Sequence, residues 1–326
     1  MMVRRAALLA AAVALAACGD DDGGATANTD TGGGDVGVTD VATDVDASLD
    51  ASDGGDVALD GSGEVSDRPE VTGPTTTTWV ARRFLFERED TPGIAGGFDL
   101  DGAVSSVGGD SGCGQADFVA PDGTEGIDNQ FALLLPLVEA AGGAALPTLI
   151  QSAINEGDLL IFAHFDGLDD MMNDDDVDII IGRAAGSAIT GSNGLLQDWL
   201  TFDVDHDEPI NRIEGATIVD GVQLGGPGDV ELPIFVFTFR FDVTLHNALI
   251  RAEMTENGPG AITVGGSVLL DNILDIADTP GIQDRIPELI EQVGTLMADM
   301  SVEGECDALT AVATLELAPV FLFEAP

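Results

Sequence analysis

Between residues 235 and 245 hydrophobic and polar positions alternate: Phe235, Phe237, Phe239, Phe241, Val243 and Leu245 interleave with Val236, Thr238, Arg240, Asp242 and Thr244. A period of two over that length predicts a strand with one buried and one wet face. Shorter stretches of the same kind lie at 79–86, 158–165, 177–181, 213–219, 248–254 and 309–323. Glycine and aspartate clusters separate them, as antiparallel connections require. A different period occurs in three places. Ile286, Leu289, Ile290, Val293, Leu296, Met297 and Met300 recur at helical spacing, with Asp284 as N-cap and Pro287 in the first turn. Ile127, Phe131, Leu134, Leu135 and Val138 form a second stripe that Pro136 breaks, and 146–154 forms a third. The pattern predicts a mainly β (α+β) domain, an antiparallel β-sandwich or large curved sheet with two or three packed helices. Such a domain runs over residues 79–326. The repeated "DTPGI" at Asp90 and Asp278 reads as a turn and helix-start device rather than a duplication.

Upstream the pattern changes. Arg4 and Arg5 precede an apolar run over residues 6–17 that ends in small residues, the layout of a secretory signal and too short to span a bilayer. Leu15, Ala16, Ala17 and Cys18 resemble the lipobox of bacterial lipoproteins. The resemblance implies cleavage after residue 17, a diacylglyceryl group on the Cys18 sulfur and an acylated amine, and three chains hold a protein firmly to a bilayer. Gly19 directly after the cysteine is similar to the pattern of lipoproteins sent to the outer membrane, facing the periplasm or the cell surface. From residue 19 to 78 there is no aromatic residue, and 15 acids stand against one arginine. Such a segment buries too little to offset its ordering entropy, so residues 18–78 read as an acidic, extended, disordered stalk.

Charge narrows the partners. The net charge is −48, with no lysine and eleven arginines. A nucleic-acid partner is excluded by the lack of any clustered cationic surface. The expected partners are the lipid bilayer, through acylated Cys18, and an unidentified surface ligand, glycan or protein. A transmembrane barrel does not fit either, because with no tyrosine and two tryptophans the chain cannot build aromatic girdles.

Beyond Cys18 only Cys113 and Cys306 remain. In an exported chain they are expected to pair, with a shared metal or two free thiols as alternatives. "GGDSGCG" around Ser111 resembles the nucleophile motif of trypsin-like proteases, but His164, His206 and His246 all follow Ser111, which reverses the family's order. The three histidines have no paired spacing that would suggest zinc.

Calcium is the more specific expectation. "DVDHDEPINRIE" puts Asp203, Asp205 and Asp207 at the first, third and fifth places of a twelve-residue loop and Glu214 at the last, which resembles an EF-hand. Glu208 fills the sixth place, where the sharp turn wants glycine, and the following residues read as strand. A solvated acidic connection is the alternative. Two looser acidic groups are Asp99 and Asp101 with Asp117, Asp122 and Asp128, which could converge through folding, and Asp174, Asp176 and Asp178 at alternate positions. No cofactor other than calcium is indicated.

The functional expectation is a membrane-anchored extracytoplasmic lipoprotein with a non-catalytic binding or structural β-rich domain, stabilised by calcium. Two other classes stay open: a carrier of lipid or another apolar ligand between sheet and helices, and a polysaccharide hydrolase using paired carboxylates.

Overall fold

The computed structural model describes residues 76–140, 146–236, 239–277 and 285–323. The lipobox, the stalk and Asp284 lie outside the described residues, as do the side chains of 235–239, 241, 276, 277, 285, 286 and 289, and with them Ile286 and Leu289 of the predicted helical stripe. In chain order the elements are β1 (Thr78–Phe86), β2 (Glu89–Thr91), β3 (Ile94–Ala95), β4 (Phe118–Val119), β5 (Glu125–Ile127), α1 (Phe131–Ala140), α2 (Leu146–Glu156), β6 (Ile161–Asp166), β7 (Asp174–Ala185), β8 (Leu200–Val204), β9 (Asn211–Val219), β10 (Val222–Val236), β11 (Phe239–Thr255), β12 (Gly258–Leu269), α3 (Leu270–Ala277), α4 (Arg285–Met297) and β13 (Ala308–Phe323).

The protein is mainly β, as the alternation predicts, and its large sheet closes. Antiparallel pairing runs β1-β6-β7-β9-β10-β11-β12-β13 and returns from β13 to β1. The result is an eight-stranded barrel where the sequence pattern suggested a sandwich or an open curved sheet. Alternation reports which face a residue occupies but not which strands meet, so the architectures look alike in sequence. Strand β8 lies outside the ring, parallel to the end of β13 and antiparallel to the end of β7.

The run expected to be one long strand is a hairpin. Strand β10 ends at Val236 and β11 begins at Phe239, with Val236 opposite Phe239 and Leu232 opposite Val243. Val230 and Leu232 are buried before the tip, Leu245 after it, so the buried set passes from even to odd numbers. Ile234, Phe235, Val236 and Phe237 are all apolar, so the sequence shows no break where the buried parity changes, which is why the pattern hides the turn. Pro136 likewise does not end its helix: it sits on the exposed face of α1, and Ile127 belongs to β5.

The barrel's polarity follows from strand parity. On β9, Ile213, Ala216 and Ile218 point inward while Arg212, Glu214 and Thr217 are exposed. Arg251 and Glu253 on β11 and Glu231 on β10 also face outward. A charged exterior around an apolar interior is the reverse of a transmembrane barrel.

Buried side chains from all eight ring strands form one cluster, including Val80, Phe162, Ile179, Ile218, Val230, Ile250, Val264 and Leu317. Burial of a single side chain of this size contributes about 1.5–3 kcal/mol. Helix α2 touches both β1 and β10, which stand opposite each other in the ring, so it lies across the barrel. Its Ile150, Ala153 and Ile154 join the same cluster. Close approaches require glycine here: at Gly258, with φ +92°, an added Cβ would stand 2.0 Å from Trp79 Cζ2.

A second layer covers the outer face of β12 and β13. It comprises the small sheet β2-β3-β4-β5 with α1, α3 and α4. Phe98 docks against that face, where a Cβ on Gly265 would lie 2.7 Å from its ring. The Arg251 guanidinium lies over the same ring, 5.5 Å from its centroid.

Candidate cation site

Because Phe98 is fixed on the barrel wall, the chain after it leaves from a defined point. A single antiparallel bridge joins Phe98 to Asp128, with the Asp128 N–H donating to the Phe98 carbonyl at 2.8 Å. Residues 99–103 then turn around the Asp128 carboxylate. Its Oδ2 accepts from the N–H of Leu100 at 2.6 Å and of Asp101 at 3.2 Å. Asp99 Oδ1 accepts from Gly102 N–H at 2.7 Å, and Asp101 Oδ1 from Ala103 N–H at 2.8 Å. Gly126, at φ +80°, lets this loop come close, since a Cβ there would meet the Ala103 carbonyl at 3.0 Å and Asp99 Cγ at 3.5 Å.

Among the described residues, Asp99, Asp101 and Asp128 are the group whose ligand atoms all lie within 4.8 Å of one another. Asp99 and Asp101 are exposed, while Asp128 is 1% exposed. Asp128 Oδ1 is buried and receives no hydrogen bond. Burial pushes the Asp128 carboxyl up to about 8, and the nearby Asp101 and Asp117 carboxylates add to it, against the pull of its two backbone donors. Asp117 is raised as well, first by burial and then by Asp101 and Asp99, although Ser105 N–H donates to its Oδ2 at 2.5 Å and a side-chain hydrogen bond with the Asp128 carboxyl pulls it down. Carboxylates gathered without counter-charge form a ready-made seat for a hard cation, which oxygen ligands suit.

A buried polar chain lies behind this loop. Gln130 N–H donates to Thr310 Oγ1 at 3.0 Å, and the Thr310 hydroxyl donates onward to Asp299 Oδ2. Asp299 is 3% exposed, and burial pushes its carboxyl up to about 7 against the lowering effect of the Thr310 donors. The expected Cys113–Cys306 disulfide closes over the same layer, with Cα atoms 5.7 Å apart across 193 residues of chain. It ties the segment between Asp101 and Asp117 to the connection between α4 and β13.

The other sequence-derived candidates are arranged differently. Asp203 ends on β8 and Glu214 on β9, and Asp205 is held by Arg183 at 3.1 Å. Glu208, in the place of the EF-hand glycine, pairs with Arg240 at 2.8 Å. Asp203, Asp205, Asp207 and Glu214 therefore do not form a convergent group, because extended backbone on both sides spreads what a tight turn would gather. Asp122 caps its own turn through Thr124 N–H at 2.9 Å. On β7, Asp178 takes Arg212 at 2.7 Å and Gly215 N–H at 3.0 Å, which hold it below the usual carboxylate range.

The Ser111 hydroxyl accepts from Ser105 at 2.9 Å, not from a histidine. His164 Nδ1 meets Thr78 Oγ1 at 2.7 Å, and burial lowers its pKa. It lines a shallow cleft of about 430 Å³ with Thr76, Leu168, Met171 and Phe321. His246 faces Asp229 at 3.5 Å.

Comparison of the chain with protein families, with curated proteins and with solved structures returns no match. The sequence offers Asp99, Asp101 and Asp128 only within a looser group that also takes in Asp117 and Asp122, and none of its acidic groups takes in Asp299. The signal available for it was an isolated acid directly after an apolar helix stripe.

Proposed function

We propose that the chain is a lipid-anchored extracytoplasmic protein whose barrel works as a non-catalytic binding or structural module. In this reading Cys18 holds it to the membrane, residues 19–78 act as the spacer, and the outer surface of the barrel meets the partner. The observation that carries the proposal is the interior. Buried side chains from all eight ring strands meet in one cluster, which Ile150, Ala153 and Ile154 of helix α2 join, and this supports a packed interior over one kept open for cargo. An eight-stranded barrel is just wide enough to be filled in this way. A carrier of apolar ligands needs a pocket of roughly 300–1,000 Å³ that encloses most of its ligand. The cleft beside His164 is open to solvent and polar at Thr76 and Thr78, which suits a small surface group better than a lipid chain.

Two measurements test the proposal. Solvent extraction of the purified full-length protein followed by mass spectrometry is expected to yield no stoichiometric lipid beyond the acyl groups on Cys18. Recovery of one apolar molecule per chain would favour the carrier instead. Detergent phase separation of the bacterial product is expected to place it in the detergent-rich phase, and a Cys18→Ser variant in the aqueous phase. Partition of both forms into water would remove the anchor.

A further inference from the structure

We infer that Asp99, Asp101 and Asp128 bind one calcium-class divalent cation, which fastens the 99–103 loop to the end of β5. The inference is independent of the anchor and of what the barrel binds. It rests first on convergence. Calcium holds its oxygens at about 2.4 Å, so ligands on opposite sides of one ion stand at most about 4.8 Å apart. The three carboxylates meet that limit.

The second observation is independent of the clustering. Asp128 is 1% exposed, both of its backbone donors go to Oδ2, and Oδ1 is buried with no donor. A buried acceptor left without a donor costs free energy unless a proton or a cation supplies the missing positive charge. The two donors to Oδ2 also fix the orientation of the carboxylate, so the buried Oδ1 keeps its place. Asp99 and Asp101 close the site from the solvent side, and their exposure provides an entry path and room for water ligands.

The donor set decides the class of ion. Three carboxylates and no nitrogen or sulfur ligand disfavour zinc and copper. Three carboxylates with waters can supply the six to eight oxygens calcium takes, and its tolerance of irregular geometry suits ligands from two segments 27 residues apart. Magnesium demands a tighter octahedron and sheds its water reluctantly. In extracellular modules such sites work at about 10⁻⁴–10⁻³ M calcium.

The test is thermal unfolding of the full-length protein in detergent, first with chelator and then with calcium chloride at constant ionic strength. A hundredfold excess over Kd is expected to raise Tm by about 5 °C or more. Asp128→Asn keeps an acceptor for Leu100 and Asp101 and places a donor where Oδ1 stood. It is expected to melt in chelator no lower than the parent and to lose the calcium response, with affinity reduced at least about tenfold. Asp101→Asn, at an exposed position, is expected to weaken the response while folding normally, and serves should Asp128→Asn not fold. Asp205→Asn is expected to keep the full response. The inference is overturned if calcium does not shift Tm, if Asp128→Asn and Asp101→Asn respond like the parent, or if sodium chloride of matched ionic strength reproduces the shift.

Discussion

Two acidic regions of this molecule look alike in sequence and differ in physics. At the start of β7, which β6 and β9 flank, Asp174 and Asp178 are half-buried, and each meets its own donors. Asp169 N–H donates to Asp174 at 2.8 Å, and Arg212 and Gly215 serve Asp178. Hydrogen bonds to the charged form hold both acids below the ordinary carboxylate range. In the layer beneath the disulfide, Asp128 has two backbone donors as well, yet its carboxyl is driven up to about 8. Burial and the Asp101 and Asp117 carboxylates make the difference. The number and spacing of carboxylates do not mark a cation site in so acidic a chain. The mark is a buried carboxylate oxygen that no donor reaches, in a carboxylate with no guanidinium partner: Glu208 Oε2 is donor-free as well, but Arg240 already holds its Oε1 at 2.8 Å.

The largest test of this contrast is removal of the disulfide. Cys113→Ser with Cys306→Ser releases the layer that holds Asp99, Asp101, Asp117 and Asp299, while the start of β7 has no link to either cysteine. A native disulfide in such a domain contributes typically about 2–5 kcal/mol, chiefly by restricting the unfolded chain. The double variant is expected to lose stability in that range by urea unfolding. Amide exchange should rise at 99–117 and 298–307 and stay unchanged at 174–181. Equal loosening of both regions would mean that the bond braces the whole barrel.

The second test is pH, where the two regions carry opposite signs. The folded-state pKa of Asp299 is raised to about 7, so between about 4 and 7 the folded protein binds more protons than the unfolded chain. Its contribution is fully present below about pH 4 and is lost as pH rises through 7, with a slope of up to about 1.4 kcal/mol per pH unit for one such group. In chelator, Asp128 extends the same trend towards pH 8. Asp174 and Asp178 have lowered pKa values, so their contribution is present at neutral pH and lost as pH falls below about 4. Stability in chelator is therefore expected to peak in mildly acid solution and decline towards pH 8. Asp299→Asn should flatten the decline between pH 4 and 7. A peak at pH 8 in chelator would show that these acids do not carry the burial cost assigned to them.

The sequence makes half of this comparison legible. Apolar and period-two runs locate β1, β6, β7, β9, β13 and the second half of β11; exposed and buried positions alternate on β9 and at 250–254, while consecutive residues such as 161–163 and 179–181 are buried on both faces. Strands β10 and β12 escape because Gly225, Gly228, Gly265 and Gly266 stand where close neighbours leave no room for side chains, and glycines erase the alternation. Helix α3 runs on directly from β12 without an intervening loop, which hides its start. Closure of the ring is illegible because partner choice depends on the pairing of β1 with β13, more than 220 residues apart. At the site, the residue types point to a hard cation, and Asp99, Asp101 and Asp128 belong to a looser group, with Asp117 and Asp122, that folding could gather. What no spacing encodes is the burial of Asp128. Conversely, the 203–214 loop has the spacing without the fold, since Arg183 and Arg240 already serve Asp205 and Glu208.

The smallest test uses one glycine from each region. Gly126, at φ +80°, borders Asp99, and Gly215, at φ +65°, donates its N–H to Asp178. Alanine at either position must adopt a left-handed backbone, a cost of about 1 kcal/mol or slightly more. Around Gly215 nothing lies within 4 Å of the added methyl, so Gly215→Ala is expected to lose that amount by urea unfolding and nothing further. At Gly126 the methyl meets the Ala103 carbonyl at 3.0 Å, Val104 Cγ2 at 3.4 Å and Asp99 Cγ at 3.5 Å. The 99–104 loop must give way by a few tenths of an ångström, which moves Asp99 relative to Asp128. Gly126→Ala is therefore expected to lose more than Gly215→Ala and, unlike it, to weaken the calcium-induced rise in Tm. Equal losses with an intact calcium response would mean that the loop yields without disturbing its carboxylates, so that Asp99 is placed by its turn with Gly102 rather than by contact with β5.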